Sequence, residues 1–297
     1  MPELPEVEVV RLGLAPALVG ATITAVSVFD ERSLKRHVGP AADFVERLEG
    51  ADIDAVVRRG KFLWMPIRGR AEAIVGHLGM SGQLLLRMPD VHGDKHERIR
   101  LDIRHPDHDR LSIVFADQRI FGSLAVDALV ETGDGWAAGH GSASTLVPTQ
   151  VAHIARDALD PGFDDDAWVA AVRRRRSAIK RVLLDQTLVS GIGNIYADEA
   201  LWAARIHPET EAQHLTPRAL RRLLAEVRAV LHKALAEGGT SFDAQYVNVN
   251  GEAGYFAHSL NAYGRGGEPC PRCGSSIKRV PFAGRSSHFC TRCQRRR

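Results

Sequence analysis

The sequence predicts a multidomain α+β protein, and three observations support that prediction. Short β-branched and alternating segments fill the first half of the chain, which indicates a sandwich or a barrel. Helical spacing replaces them in the second half. Four cysteines in two pairs close the chain. The 297 residues suffice for one large or two ordinary domains.

The first element is a helix predicted over residues 3–19. Val7, Val10 and Leu14 recur at helical spacing on one apolar face, and Gly20 is a suitable stop. Gly, Pro and Asp separate the strands that follow. These are predicted at 21–29, 53–57, 62–67, 73–77, 83–87, 99–103, 111–115 and 123–126, with a brief helix at 43–48.

Residues 131–150 are rich in Gly and Ser and aperiodic, so they predict a linker or surface loop at a domain boundary. Helices follow at 164–174, 177–184, 194–203 and 217–237. Before the third of these, residues 190–194 predict a tight turn with Asn194 as the helix N-cap. Such a helix start suits an anion. A packing turn between two helices explains the same residues equally well.

The charge pattern allows a nucleic-acid surface only as a local patch, because the net charge is +3. Basic runs at 58–61, 173–176 and 295–297 offer such patches, although most charge runs are solvated surface. No apolar stretch approaches the ~20 residues of a membrane helix. The N-terminus lacks a signal-peptide pattern. We therefore expect a cytoplasmic protein with no membrane association.

The cysteine pattern predicts a metal site. Cys270, Cys273, Cys290 and Cys293 form C-x2-C-x16-C-x2-C, which matches the spacing of zinc sites. In a reducing cytosol four paired thiols favour a metal over disulfides. We expect one structural Zn²⁺ with no open position for chemistry, because the protein supplies all four ligands. A pair of redox dithiols is the alternative, but no thioredoxin-like pattern surrounds them.

The N-terminus places a potentially reactive amine beside acids. Met1 is readily removed before a residue as small as proline, which leaves Pro2 with an α-amine of reference pKa about 7.7–8.0. This amine is partly neutral at pH 7 and can form a Schiff base with an electrophilic carbon. Glu3 can assist as an acid or base. Taken alone, the segment is explained more simply as a proline in the first turn of a helix.

Motifs along almost the whole chain resemble those of the bacterial formamidopyrimidine-DNA glycosylases, in the larger group that also contains the endonuclease VIII-type enzymes. In having Leu4 directly after Pro2 and Glu3, the chain resembles the purine-repair branch of that group. The matching motifs are PELPEVE at 2–8, GKFL at 60–63, HLGMSG at 77–82, LDQ at 184–186, GIGNIYA at 191–197, GYF at 254–256, YGR at 263–265 and GRS at 284–286, within the cysteine hairpin.

The resemblance implies a bifunctional DNA glycosylase and abasic-site lyase of base excision repair. Its substrates would be 8-oxoguanine and formamidopyrimidines in duplex DNA, held by a monomer in a cleft between its domains. The implied architecture is a helix-bearing catalytic β-sandwich domain, a linker, a helix–two-turns–helix domain with a lesion-binding loop at about 239–263, and a zinc finger. The expected domain bounds are 1–135, 136–158, 159–264 and 265–297.

The resemblance also assigns roles to residues. Pro2 would attack C1′, Glu3 would protonate the sugar oxygen, and Glu6 would orient the amine. Lys61 and Arg285 would complete the catalytic set by binding phosphate. His96, Asn194 and Lys180 are further expected DNA contacts. The residues expected to fill the gap left by a flipped nucleotide are Met80, Arg119 and Phe121.

Two departures and two alternatives accompany this prediction. Residues 118–120 read Gln-Arg-Ile where the family often has Pro-Arg-Arg, and residues 142–147 lack its usual Gly-Pro-Glu-Pro-Leu. An endonuclease VIII-type enzyme for oxidised pyrimidines would share Pro2, Glu3 and Lys61. A non-catalytic zinc protein that binds damaged DNA would need neither a free amine nor a paired acid.

Overall fold

The computed structural model describes residues 2–91, 93–107, 110–240, 249 and 255–296. The chain forms two compact units. Unit 1 contains the chain up to His153 together with Thr240 and Val249, and unit 2 contains residues 154–239 and the chain from Tyr255 onward. Among the described residues, no helix combines the length and apolar character needed to span a bilayer.

Unit 1 begins with helix α1, Leu4–Leu18, close to the predicted bounds. Leu4, Val7 and Leu14 are completely buried, so the helix lies in the core rather than on its surface. The helix starts with a capping box between Glu3 and Glu6, in which each residue satisfies a backbone N–H of the other. A second helix, α2, spans Ala41–Leu48.

Nine strands of unit 1 form two antiparallel sheets, which confirms the predicted sandwich. The strands are β1 Thr22–Val28, β2 Val57–Arg59, β3 Phe62–Pro66, β4 Glu72–His77, β5 Gly82–Arg87, β6 Glu97–Arg104, β7 Leu111–Asp117, β8 Ser123–Glu131 and β9 Leu146–Pro148, all within the described residues. One sheet has the order β1-β6-β7-β5 and the other β2-β3-β4-β8-β9. Ile23 and Phe115 of the first sheet share one buried cluster with Leu63 and Ile74 of the second.

Two local predictions were wrong. The strand expected at 53–57 is an isolated bridge at Ile53, and β2 starts only at Val57. The segment expected to be a linker contains β9, which pairs with β8 and buries Val147. Three residues are too few to show a period, and the neighbouring Gly and Ser residues obscured the strand.

Unit 2 is helical and ends in a β-hairpin, as predicted. The elements are α3 Asp165–Arg173, α4 Ile179–Leu183, α5 Asn194–Ala203, α6 Pro217–Ala236, β10 Ile277–Phe282 and β11 Arg285–Cys290. The N-caps of α3 and α6, Asp164 and Thr216, accept hydrogen bonds from backbone N–H groups in the first turn of each helix. α6 buries Leu223, Val227 and Leu231 along one face.

The hairpin is anchored to the helices by polar contacts as well as by packing. Trp202 of α5 donates an N–H to the Cys270 sulfur at 3.4 Å, and the Arg272 guanidinium lies over the Trp202 ring at 4.0 Å. Gln294 accepts from the Cys290 N–H and donates to the Ile206 carbonyl, at 2.8 and 2.9 Å. These contacts fix a segment too small to bury a core of its own.

A buried ion pair joins α1 to β2. Arg58 is 1% exposed, and its Nε lies 2.7 Å from Glu8 Oε2. Arg11 binds the same carboxylate at 2.7 Å. Burial raises the pKa of Glu8, but the hydrogen bonds and charges of Arg11 and Arg58 outweigh it, so the net pKa lies below the ordinary value. The carboxylate is therefore ionised and needs its cations.

We expect Arg58→Met to destabilise unit 1 because it leaves the buried Glu8 carboxylate with one cation instead of two. The loss is about 3 kcal/mol, the low end for breaking a buried pair, since Arg11 remains. The melting temperature falls by roughly 6–12 °C in calorimetry. Arg68→Met, at an exposed pair 3.5 Å from Asp54, is the matched control. Equal effects of the two variants would contradict this account.

Candidate active site

The chain from Pro2 onward is buried and held by hydrogen bonds. Pro2 is buried, and Glu3 and Glu6 are 1% and 2% exposed. Glu6 Oε2 accepts the Glu3 N–H at 2.8 Å, and Glu6 Oε1 accepts both the N–H and the hydroxyl of Thr240 at 2.8 Å. Glu6 therefore acts on the N-terminus through the backbone of Glu3, the residue next to Pro2.

Lys61 occupies the tight turn between β2 and β3, next to Gly60 at φ +57°. The register of β3 and β4 places its neighbour Phe62 opposite His77, with ring centroids 4.8 Å apart. The guanidinium of Arg36 lies over the Phe62 ring at 5.4 Å. Cations thus gather at this end of the β2-β3-β4-β8-β9 sheet, which suits an anionic ligand.

His77 is the neutral member of this group. Desolvation of the ring lowers the pKa of His77 to about 4, and the charges of Arg36, Lys61 and Lys35 add to the effect. Its Nδ1 accepts the Gly79 N–H at 3.2 Å, so Nε2 carries the proton. His77 therefore fixes the turn that begins at Gly79.

The structure brings together the three residues expected to fill the gap in DNA. Met80 and Phe121 are 43% and 49% exposed, on turns after β4 and β7, and Arg119 is exposed beside Phe121. Gly79 permits the close approach of the two turns. It has φ +63°, and a Cβ there would lie 2.5 Å from the Phe121 backbone. Large apolar side chains this exposed are suited to a contact outside the protein.

Sequence reasoning missed Asp117, which joins these two turns. Its carboxylate is completely buried and accepts from the Ser81 hydroxyl at 2.5 Å and from the N–H groups of Arg119 and Gly122 at 3.1 and 2.7 Å. The available signal was an Asp at the end of a strand, a residue that readily binds the backbone of the following turn.

His96 lies at the same turn through its backbone. It has φ +68°, and its carbonyl accepts the Asp117 N–H at 3.0 Å. Its Nε2 is buried and has no hydrogen-bond partner within the part of the chain that the structure describes. A direct contact of this imidazole with DNA stays a prediction.

In unit 2, the turn before α5 is clamped by Gln186. The side chain accepts the Gly191 N–H and donates to the Ile192 carbonyl, both at 2.9 Å. The expectation that Asn194 caps α5 was wrong, because Gly193 is the N-cap and Asn194 is the first helical residue. The Asn194 side chain instead donates Nδ2 to the Ser286 carbonyl at 2.9 Å, so a tertiary contact replaces the cap.

Arg285 is exposed at the tip of the hairpin, where the positive φ angles of Ala283 and Gly284 make the turn. It lines a groove of about 460 Å³ together with Arg175 and Arg181 of the same unit.

Lys180 was expected to contact DNA, but it is buried in an ion pair. Its side chain is 0% exposed and its Nζ lies 2.7 Å from Asp198 Oδ1.

The four cysteines form a set that can hold a metal ion. Their sulfur atoms all lie within 4.8 Å of one another. A tetrahedral ion with metal–sulfur distances of about 2.3 Å requires sulfurs roughly 3.8 Å apart, so small movements would bring all four into coordination.

Most of the expected lesion-binding loop, including 241–248 and 250–254, lies outside the described residues.

The low pKa of His77 predicts how stability depends on pH. The unfolded ring takes up a proton near pH 6.5, whereas the native ring does so only near pH 4. Stability is therefore fully present above pH 6.5 and falls as the pH drops from 6.5 to 4, by at most about 3 kcal/mol. The variant His77→Asn has no imidazole at this position, so it should lack the loss of stability that comes from protonating His77. Urea titrations across this range would contradict the account if both proteins lost stability equally.

Three family models match the chain. They are the formamidopyrimidine-DNA glycosylase N-terminal domain over residues 1–124, the H2TH domain of the same enzyme over 154–245, and the zinc finger found in FPG and IleRS over 267–296. The chain is 62% identical over 296 residues to the formamidopyrimidine-DNA glycosylase of Leifsonia xyli subsp. xyli, covering 99% of this chain and 100% of the relative. The Nocardioides sp. enzyme of the same name is 54% identical over 294 residues, with coverages of 99% and 94%.

Solved structures give the same result. A Lactococcus lactis FPG variant in complex with a Fapy-dG containing DNA aligns with a TM-score of 0.83 at 31% identity, covering 99% of this chain and 100% of that one. The Lactococcus lactis Fpg complex with an abasic site containing DNA aligns with a TM-score of 0.82 at 30% identity and the same coverage. The chain therefore belongs to the formamidopyrimidine-DNA glycosylase family.

Proposed function

We propose that this protein is a bifunctional DNA glycosylase and abasic-site lyase that removes oxidised purines from duplex DNA. The carrying observation is the N-terminus, where Pro2 and Glu3 are buried and Glu6 accepts the N–H of the peptide bond that joins them. A surface that only binds DNA has no need for an immobilised α-amine next to a buried acid. A nucleophile must be held in this way to react efficiently.

The chemistry requires removal of Met1, because only then is the Pro2 nitrogen an amine. That nitrogen bonds to C1′ of the damaged nucleotide while the bond from C1′ to the base breaks, and the proton that the nitrogen loses passes to the departing base. In the same step Glu3 gives a proton to the sugar ring oxygen, whose bond to C1′ opens to leave an iminium ion. Loss of a C2′ proton then expels the 3′ phosphate, and a second elimination expels the 5′ phosphate.

The damaged nucleotide must leave the base stack before Pro2 can reach C1′, at a cost of a few kcal/mol. Met80 and Phe121 are exposed apolar side chains suited to fill the gap, and Arg119 supplies hydrogen-bond donors for the unpaired base. Asp117 holds the turns that carry all three. Lys61 of unit 1, and Asn194 and Arg285 of unit 2, supply the phosphate contacts.

The metal in this proposal is one structural Zn²⁺ bound by the four cysteine thiolates. Four sulfur ligands leave no open position, so the ion shapes the hairpin and takes no part in the reaction. Arg285 stands between the two cysteine pairs in sequence, at the hairpin tip. The geometry of the hairpin therefore determines where this guanidinium points.

We expect metal analysis of the purified protein to find one zinc per chain. Removing it with a chelator should abolish binding to damaged duplex DNA, because the hairpin that carries Arg285 loses its fold. Adding zinc back should restore binding. A protein without zinc, or one whose fold and binding ignore the chelator, would rule out this site.

A second substrate class has an observation in its favour. Wild-type Lactococcus lactis FPG, which aligns with a TM-score of 0.82 at 31% identity, has been crystallised with an oxidized pyrimidine containing DNA. An enzyme for oxidised pyrimidines would share Pro2, Glu3 and Lys61, so these residues do not distinguish the two substrate classes. Duplexes with 8-oxoguanine, formamidopyrimidine or thymine glycol therefore need to be compared, and we expect the purine lesions to be excised faster.

We expect Glu3→Gln to separate the two activities. Excision of 8-oxoguanine falls by at least about 10²-fold because the proton donor is lost. Cutting at a preformed abasic site falls far less, because Pro2 still forms the Schiff base. Glu46→Gln, at an exposed position on α2, is the matched control and should behave as the parent. Full excision by Glu3→Gln in single-turnover assays would refute the role of Glu3.

A further inference from the structure

Asp198 is a buried carboxylate of α5 for which the proposed reaction has no direct use. It is 1% exposed and binds four polar groups. Oδ1 lies 2.7 Å from Lys180 Nζ and accepts the Ser287 hydroxyl at 3.1 Å. Oδ2 accepts the His288 N–H at 2.8 Å and lies 3.2 Å from His288 Nδ1. One carboxylate thus ties α4 and α5 to β11.

The partner of Asp198 leads to the predicted DNA contacts. Lys180 Nζ donates to the Ser286 carbonyl at 3.0 Å and lies 5.2 Å from the centre of the Phe282 ring. The same carbonyl accepts Asn194 Nδ2 at 2.9 Å. Ser286 therefore joins Asp198, through Lys180, to Asn194, and it follows Arg285 directly in the chain.

The orientation of Asn194 depends on this carbonyl. A side-chain amide has two N–H donors on Nδ2, and Ser286 accepts one of them. Rotating the amide by half a turn would place two oxygens against each other. Asn194 Oδ1 is buried without a hydrogen-bond partner in the described part of the chain, so no competing contact holds the amide. The position of the Ser286 oxygen decides where the remaining N–H points.

The position of that oxygen depends in turn on a buried charge pair. Lys180 is 0% exposed, and an ammonium away from water is stable only beside a counter-charge. Asp198 supplies that charge and also binds the two residues that follow Ser286. Removing the Asp198 carboxylate frees the backbone at 287–288 from its hydrogen bonds. It also leaves the Lys180 ammonium, which donates to the Ser286 carbonyl, without its counter-charge.

We propose that Asp198 is a positioning residue for DNA binding. Through Lys180 and the backbone at 286–288 it sets the Ser286 carbonyl, and thereby aims Asn194 and Arg285 at backbone phosphates. This inference rests on the proposed function, in which those two residues bind DNA. In this proposal Lys180 also positions the Ser286 carbonyl and does not contact DNA itself.

The first test compares Asp198→Asn with Asp166→Asn. Asp166 is the matched control because its side chain is 79% exposed in an ion pair 2.8 Å from Arg221. The probe is a duplex with an uncleavable abasic-site analogue opposite cytosine. We expect Asp198→Asn to raise Kd at least roughly tenfold, the effect of a lost charged hydrogen bond. The slope of log K against log salt should shrink by about 0.9 per lost phosphate contact.

The second test separates positioning from a general loss of structure. Asn194→Ala is measured in the parent and in the Asp198→Asn background. If Asp198 acts through Asn194, the second substitution costs much less in the variant background than in the parent. Equal costs in both backgrounds would overturn the proposal, as would a Kd for Asp198→Asn equal to that of the control.

The variant Lys180→Met/Asp198→Asn keeps the proposal testable if Asp198→Asn does not fold. It removes both buried charges, which proteins often tolerate without loss of stability. We expect parent-like melting and zinc content with weakened DNA binding, and parent-like binding would overturn the proposal. A parent protein that neither binds the abasic-analogue duplex nor excises 8-oxoguanine would instead refute the proposed function itself.

Discussion

The fixed position of the backbone from Pro2 to Glu6 is the constraint on which the candidate active site depends. The first residues of a domain usually fray unless something ties them down. Here Leu4 and Val7 are completely buried in the core of unit 1, and the Glu6 carboxylate accepts hydrogen bonds from Glu3 and from Thr240. These contacts hold Pro2 at a fixed place. An α-amine can act as a nucleophile in a defined geometry only under that condition.

Buried carboxylates meet the same need elsewhere in both units. Asp117 holds the turns that carry Met80 and Phe121, and Asp198 holds the backbone beside Ser286. Glu199 accepts the N–H groups of residues 261–263 at 2.8–2.9 Å. A buried charge is costly unless it is fully bonded, so each such group defines the position of the backbone around it. The candidate DNA contacts Lys61, Met80, Arg119 and Phe121 lie on turns. Asn194 and Arg285 are the first residues of α5 and β11.

Much of this arrangement was predictable from the sequence, because its signals are local. Helical spacing gave α1 and α5, and cysteine spacing gave the metal set. The contacts that could not be predicted join residues that lie far apart in the sequence. The pairing of Glu6 with Thr240 and of Asn194 with Ser286 leaves no periodic pattern.

Two further residues show why burial was hard to predict. The resemblance suggested a DNA contact for Lys180, and lysine is almost always exposed, whereas the fold supplies Asp198 as its buried partner. Asparagine is favoured at helix N-caps, but the side chain of Asn194 donates a tertiary hydrogen bond to Ser286 instead. In both cases a long-range contact overrides the local preference of the residue.

The central claim is that the N-terminal proline amine is the nucleophile. Borohydride reduction during reaction with a duplex carrying 8-oxoguanine opposite cytosine tests it most directly, followed by mass spectrometry of the cross-linked peptide. The account predicts a covalent adduct on the nitrogen of Pro2, formed with damaged DNA and not with the matched undamaged duplex. An adduct on a lysine, or no adduct from a zinc-bound protein that has lost Met1, would contradict it.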